Sequence, residues 1–186
     1  TRRFVQERDL ITLEGNAQPA VTETPPHLRS GIFAAMDTPG PYEAKATEAF
    51  YYVPPVDPGW NAGRQREHLS LFNRTALEVI TIHEAFPGHY VQFRNADRFP
   101  TKTRKMTSNA ANSEGWAHYA EQMMIEEGYA AGDPQVALMQ LSEALVRDCR
   151  YVVGIKMHTE GMSVEEGARF FVEQGYLEPA NAYEEA

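Results

Sequence analysis

The sequence contains little cysteine, no long apolar run and no cluster of positive charge. Its single cysteine, Cys149, excludes an internal disulfide and leaves the cellular compartment open. No uncharged stretch approaches the roughly 20 residues that span a bilayer, so no membrane span is expected in this chain. Lysine and arginine number 17 against 26 acidic residues, a formal net charge of -9. Because nucleic-acid binding requires clustered positive charge, we expect no nucleic-acid partner.

Proline is scarce after the first third of the chain. Eight of the twelve prolines lie between Pro19 and Pro58, which excludes a continuous helix there. Two short apolar runs in this part, at residues 31–36 and 50–53, are compatible with strands. We therefore predict a Pro-rich irregular or short-strand N-terminal layer over residues 1–64.

Apolar residues recur at spacings of three and four from about residue 65 to residue 178, which predicts a mainly α fold. Gly128 and Gly161 are predicted helix stops. Ser163 and Glu166 have the spacing of a capping box, which begins a helix. The predicted helices cover residues 66–84, 107–127, 134–158 and 164–174.

Two of the six histidines belong to the motif His-Glu-Ala-Phe-Pro-Gly-His at residues 83–89. In the His-Glu-x-x-His motif of zinc peptidases, both imidazoles lie on one helical face and reach one metal ion, while the Glu acts as general base. Here the second His is at i+6, and on an unbroken helix the two rings would point about 120° apart. A regular helix therefore cannot bring them to one ion.

Pro87 and Gly88 change this conclusion. The ring of Pro87 clashes with the carbonyl of His83, so the helix must break or bulge. Gly88 adds conformational freedom, and an expanded turn that returns His89 to the face of His83 is predicted. The alternative is that Pro87 and Gly88 end the helix and leave His89 as a solvated cap residue.

The second predicted helix offers a third ligand. Glu114, His118 and Glu121 lie on one stripe of this helix, at i, i+4 and i+7. We choose Glu114, because two His and one Glu leave the fourth zinc position open for water. Gly115 beside it is predicted to permit close approach of the first helix. His118 and Glu121 would then form hydrogen bonds to the ligands or line the edge of the site. The alternative is that these three residues form an exposed polar stripe with an ion pair.

These two motifs together resemble the bacterial family known as domain of unknown function 885, which is similar to the gluzincin type of zinc metallopeptidase. Gluzincins bind zinc with two His and a Glu from a later helix. The resemblance implies a zincin-like helical catalytic region, one Zn²⁺ ion held by His83, His89 and Glu114, and Glu84 as catalytic base. Tyr90 departs from the pattern, since many relatives carry another His there.

Members of that family are usually much longer than this chain. The resemblance therefore implies that residues 1–186 form a single catalytic region from the C-terminal part of a longer bacterial protein, with residues 65–178 as the helical metal-binding core. We expect a soluble protein, cytoplasmic or exported; the sequence does not determine its oligomeric state.

The expected reaction is hydrolysis of a peptide or small amide. Zinc with three protein ligands lowers the pKa of water from about 15.7 toward 7 and polarises a carbonyl, and Glu84 would take the proton. On the third predicted helix, Tyr151 and His158 are candidate donors to the oxyanion, and Arg147 or Arg150 could bind a substrate carboxylate. For each of these residues, simple packing or an ion pair on the helix is the alternative.

Other classes of function make different demands on the sequence. A helical domain that binds a metal or a peptide without turnover would carry the same motifs. A carboxylate-bridged di-iron site needs Glu-x-x-His on each of two helices, and the sequence contains no such motif. Neither Cys149 nor any Ser belongs to a nucleophile motif. His27 and His68 have no partners at ligand spacing and are predicted to be structural.

Overall fold

Helices make up most of the structure, a computed structural model that describes residues 1–13, 15–29 and 33–186. The mainly α prediction is confirmed. A short 3₁₀ helix covers Pro26–Leu28. The α-helices of the described residues are α1 (Arg2–Glu7), α2 (Ala62–Leu71), α3 (Arg74–Glu84), α4 (His89–Ala96), α5 (Lys102–Met106), α6 (Ala110–Glu126), α7 (Pro134–Thr159), α8 (Val164–Gly175) and α9 (Pro179–Glu185). None of them is both long and apolar enough to cross a membrane.

The chain folds into two compact units, and each is built from two separate segments. The first unit contains Thr1–Pro55 and Leu77–Asp133, and the second contains Val56–Ala76 and Pro134–Ala186.

A small sheet belongs to the first unit. Its strands are β1 (Ala20–Glu23), β2 (Ala35–Asp37) and β3 (Phe50–Val53), in the order β1-β3-β2. β3 pairs in parallel with β1 and antiparallel with β2. The strand predicted at 50–53 is confirmed, whereas the one predicted at 31–36 appears as β2, and residues 31 and 32 lie outside the described part. β1 was not predicted, because all four of its residues are exposed and show no alternation of polarity.

The prediction of one helix over residues 66–84 is wrong, because the chain forms α2 and α3 instead. Asn73 separates them: its Oδ1 accepts hydrogen bonds from the Ala76 backbone N–H at 3.1 Å and from the Thr75 hydroxyl at 2.6 Å. An Asn that accepts from the first turn begins a new helix. The other three predicted helices correspond to α6, α7 and α8, and the capping box of α8 is present. Helices α1, α4, α5 and α9 were not predicted.

Two clusters of buried side chains hold the first unit together. Val5, Ile82, Ala120 and Met124 join α1, α3 and α6, and all four are fully or almost fully buried. Burial of a side chain such as Ile82 or Met124 contributes about 1.5–3 kcal/mol. A second cluster contains Ala49 and residues 85, 86, 90 and 91 of the α3–α4 region. Together they fix the C-terminal end of α3 and the start of α4.

The second unit packs α7, α8 and α9 around Val146, Cys149, Val153, Phe171 and Ala182. Cys149 is a buried part of this core. The α2 segment joins it through polar contacts, since the Arg64 guanidinium donates a 2.7 Å hydrogen bond to Asn181 Oδ1.

Candidate metal centre

The last turn of α3 carries the first two residues of the motif, His83 and Glu84. The regular helix ends at Glu84, and a new helix begins at His89. Between them the backbone hydrogen bonds widen, because the Phe86 N–H donates to the Thr81 carbonyl five residues before it, at 3.3 Å. The predicted expanded turn is therefore confirmed. The predicted alternative of a solvated His89 is wrong, since only 7% of His89 is exposed.

The turn between the two helices returns the chain toward His83. The Gly88 backbone N–H donates to the carbonyl of Ile82 at 3.0 Å. Gly88 lies so close to the end of α3 that an added Cβ would be 1.7 Å from the carbonyl oxygen of His83. Only a residue without a side chain can occupy this position. The close approach brings the rings of His83 and His89 together, with their centroids 4.6 Å apart and their planes nearly perpendicular.

Glu114 reaches the two imidazoles from α6. Its Oε2 lies 3.4 Å from His83 Nε2, and its Oε1 lies 3.5 Å from His89 Nε2. The ligand atoms of these three residues all lie within 4.8 Å of one another. Two imidazole nitrogens and a carboxylate oxygen are the donor set of catalytic zinc sites with an open coordination position. The three predicted ligands thus converge on one point, and their chemistry fits a divalent metal ion.

The predicted reason for Gly115 is wrong. An added Cβ at this glycine would meet no atom within 4 Å, so it does not permit a close approach. The contact between α6 and the histidine turn is made instead by the next residue, because the Trp116 indole N–H donates to the carbonyl of Pro87 at 3.0 Å.

Glu121 supports His83 from the side opposite Glu114. Its side chain is fully buried, and its Oε1 lies 2.7 Å from His83 Nδ1. When the Nδ1–H donates to this carboxylate, Nε2 is left to face the cluster, as in the carboxylate–histidine–metal arrangement of zinc sites. His118 contacts Glu121 rather than a candidate ligand, with its Nδ1 at 3.7 Å from Glu121 Oε2.

Phe93 holds the second imidazole in place. It lies one helical turn after His89 on α4, and the two rings stack in parallel with centroids 5.4 Å apart. Sequence reasoning missed this residue, although its i+4 spacing from His89 could have indicated the contact.

The carboxylates strongly affect the protonation of the cluster. Burial by itself lowers the pKa of His83, but hydrogen bonds with Glu114 and Glu121 outweigh burial and raise the pKa to about 9. The hydrogen bonds from His83 and His89 hold the pKa of Glu114 well below its usual range. Without a metal, the cluster therefore holds a protonated His83 beside an ionised Glu114 at neutral pH. A metal ion must displace the His83 proton in order to bind.

Glu84 is buried beside the cluster. Burial raises its pKa, and the charges of His83 and His89 offset this in part. The Met36 backbone N–H of β2 donates a hydrogen bond to its carboxylate. Its Oε2 has no hydrogen-bond partner among the described residues. A buried carboxylate oxygen without a partner costs free energy unless a bound group or water satisfies it.

The four remaining predicted site residues lie on α7, in the second unit. Arg150 forms a bidentate pair with Glu185, with Nη2 at 2.6 Å from Oε1. The His158 Nδ1–H donates to the carbonyl of Gly154 at 2.7 Å, and 74% of Tyr151 is exposed. Arg147 lies one turn before Tyr151. Their proposed roles at the metal cluster stay predictions, because the cluster belongs to the first unit.

Among the described residues, the group of candidate metal ligands includes neither of the other two histidines. His68 is buried in the second unit and packs between Trp60 and Phe72, with ring centroids at 5.2 and 4.8 Å. His27 is exposed in the 3₁₀ helix.

Comparison with known proteins identifies the family. Residues 2–186 match the family described as "Bacterial protein of unknown function (DUF885)". The chain therefore belongs to this bacterial family, as the motifs predicted. No curated protein matches the chain.

Two solved structures have the same fold. One is described as "a putative lipoprotein of unknown function from Shewanella oneidensis"; it is 31% identical, with a TM-score of 0.82 over 99% of this chain. The other, "the putative lipoprotein from Colwellia psychrerythraea", is 22% identical, with a TM-score of 0.79 over 98% of this chain. The matches cover 32% and 30% of those chains, so this chain spans about a third of their length.

Proposed function

We propose that the chain is a zinc-dependent hydrolase of peptide or related amide bonds, with Glu84 as the general base. One observation carries the proposal: two imidazoles and a carboxylate converge within 4.8 Å, beside the buried Glu84 carboxylate, one oxygen of which has no hydrogen-bond partner among the described residues. A bound zinc ion would supply an activated water molecule and polarise the scissile carbonyl.

His83, His89 and Glu114 would hold the ion, and the hydrogen bond to Glu121 would fix the orientation of His83. Glu84 would accept a proton and later deliver it to the leaving amine. Its raised pKa supports this role, because a general base works best when its pKa approaches the operating pH. Two His and a Glu from a later helix is also the ligand pattern of gluzincins, and we propose a relationship to them on that basis.

Zinc binding is tested first. After chelation, adding Zn²⁺ should raise the melting temperature, and elemental analysis should find one ion per chain. His83→Ala should abolish both effects, whereas His27→Ala, which changes an exposed histidine away from the cluster, should preserve them. A melting temperature that does not respond to zinc in the unmodified protein would contradict the proposal.

Turnover is tested with Glu84→Gln. Loss of the general base should reduce the rate of hydrolysis about 10²- to 10⁴-fold and leave zinc affinity unchanged. Hydrolysis of a peptide mixture is measured by mass spectrometry. Glu127→Gln, at an exposed acidic residue after α6, is the matched control and should retain full activity. Activity that survives Glu84→Gln would remove this residue from the mechanism. Zinc binding without hydrolysis by the unmodified protein would favour the alternative of a silent metal- or peptide-binding domain.

The relatives also bear on cellular location. Because two solved structures of the same fold are described as lipoproteins, we propose the exported location rather than the cytoplasmic one. Fractionation of the native bacterium with an antibody to this chain tests this, and a signal confined to the cytoplasm would contradict it.

A further inference from the structure

A cleft of about 1350 Å³ opens in the first unit next to the candidate metal centre. Three of its lining residues adjoin the cluster: Phe93 stacks on His89, Ser113 precedes Glu114, and Trp116 holds the turn at Pro87. The volume exceeds that of typical small-molecule pockets. It is large enough for several residues of a peptide.

The charge in this cleft is opposite to that of the whole chain. Arg104 and Lys105, at the C-terminal end of α5, line it together with one acidic residue, Asp97. The Asp97 carboxylate is already paired with the Arg94 guanidinium at 3.2 Å. The chain carries a net charge of -9, so a cleft with excess positive charge is a local exception that can override long-range repulsion of anions.

Aromatic rings orient both cations without neutralising them. The Arg104 guanidinium carbon lies 3.9 Å from the centroid of the Phe99 ring, and Lys105 Nζ lies 5.7 Å from that of Tyr42. A cation over an aromatic face is held in position but keeps its N–H donors available at the ring edge. Within the described part of the chain, neither cation forms an ion pair within 4 Å of a carboxylate; the charge of Lys105 acts on the Asp97 carboxylate from a longer distance. Two positioned cations of this kind are suited to bind a carboxylate.

We propose that this cleft binds the peptide substrate and that Arg104 and Lys105 select a carboxylate on it. This inference rests on the proposed function for the identity of the ligand as a peptide. The carboxylate can come from an acidic side chain or from the free C-terminus of a short peptide, and both present the same group to the two cations.

The test measures binding by calorimetry to the zinc-loaded Glu84→Gln protein, so that the peptides are not cleaved. The probes are acetyl-Ala-Ala-Glu-Ala-Ala-amide, the same peptide with Gln in place of Glu, and the Gln peptide with a free C-terminal carboxylate. We expect the Glu peptide, the free-carboxylate peptide or both to bind about fivefold more tightly than the Gln amide. Whichever of the two gains affinity identifies the source of the carboxylate.

The same titrations are repeated with Arg104→Gln and Lys105→Gln, singly and together. The double substitution should remove the preference, so that the peptides with a carboxylate bind no more tightly than the Gln amide. Lys102→Gln is the matched control, since Lys102 is an exposed cation of α5 that does not line the cleft; it should keep the preference. The single variants give the same test if the double variant does not fold.

Three results would overturn the inference: equal affinity for all three peptides, a preference that survives the double substitution, or a preference that Lys102→Gln also removes. Failure of the proposed function gives a different result from failure of this inference. Absence of hydrolysis by the unmodified protein would refute turnover, while the preference for a carboxylate could still be measured in the binding titrations.

Discussion

Replacing Gly88 by Ala is expected to separate His83 from His89. The new Cβ would lie 1.7 Å from the carbonyl oxygen of His83, whereas ordinary contact begins at 3.4 Å, so the chain must move by roughly 1.7 Å. Metal ligands tolerate displacements of only about 0.2 Å. Overpacking typically costs about 1–3 kcal/mol. Because the Cβ meets backbone rather than a flexible side chain, we expect about 3 kcal/mol, or a fall in Tm of about 6–12 °C for a chain of this size.

Gly115→Ala provides a matched control for the same substitution. Gly115 lies beside Glu114 within α6, and an added Cβ there meets no atom within 4 Å. Alanine favours helix over glycine by up to about 1 kcal/mol, so this variant should melt a few degrees higher and bind zinc normally. The two variants are compared by thermal melting and by competition titration with a zinc chelator. If Gly88→Ala bound zinc with unchanged affinity and melted at the same temperature, the inferred role of the turn would be refuted.

Three further predictions concern the same centre. Glu121→Gln should weaken zinc binding at least about tenfold in a competition titration, because it removes the charge that orients His83; an unchanged Kd would contradict this. In the metal-free protein, the raised pKa of His83 contributes stability that is complete below pH 6.5 and is lost as the pH rises through about 9. The depressed pKa of Glu114 contributes stability that is present above pH 4.5 and is lost under acid conditions. Because a proton on His83 competes with the metal, the rise in Tm caused by zinc should grow from pH 6 to pH 8, and a constant rise would count against this competition. Trp116→Phe should cost about 1 kcal/mol and weaken zinc binding because it removes an indole hydrogen bond; Trp60→Phe, in the other unit, should leave zinc affinity unchanged, and equal zinc affinity in both variants would contradict the prediction.

The candidate ligands could be predicted because their chemistry is local in sequence. His83 and Glu84 are adjacent in the sequence, and Pro87 and Gly88 indicate that the regular helix ends before them. The stripe containing Glu114 and Glu121 follows from helical spacing alone. Even so, that stripe did not reveal that Glu121 would be fully buried against His83, because burial depends on the helices that pack around α6.

Close approaches between elements could not be predicted from the sequence. Gly115 and Gly88 are each adjacent to a predicted ligand. The sequence suggested that Gly115 permits the close approach of a neighbouring helix. The structure shows a tight approach only at Gly88. Whether a glycine faces another backbone or open solvent is a property of tertiary packing, which composition and spacing do not specify.

Helix boundaries were predictable where a local signal was recognised. The capping box of Ser163 and Glu166 placed the start of α8 correctly. Asn73 carried a comparable signal, since its side chain caps the first turn of α3, but the apolar periodicity on both sides of it suggested one continuous helix. The division into two units had no local signal at all, because each unit is assembled from segments that are distant in the sequence.

The i+6 spacing of the two histidines has a structural consequence. In a motif on a single helix, the helical rise sets the distance between the two imidazoles. Here they lie on α3 and α4, and their separation depends on the turn at Gly88, on the Trp116 hydrogen bond to Pro87 and on the packing of α6. A metal ion bound by both histidines and Glu114 would therefore cross-link three helices. Its binding free energy would add to the stability of the first unit, so metal removal should loosen the turn between α3 and α4 and lower the stability of this unit.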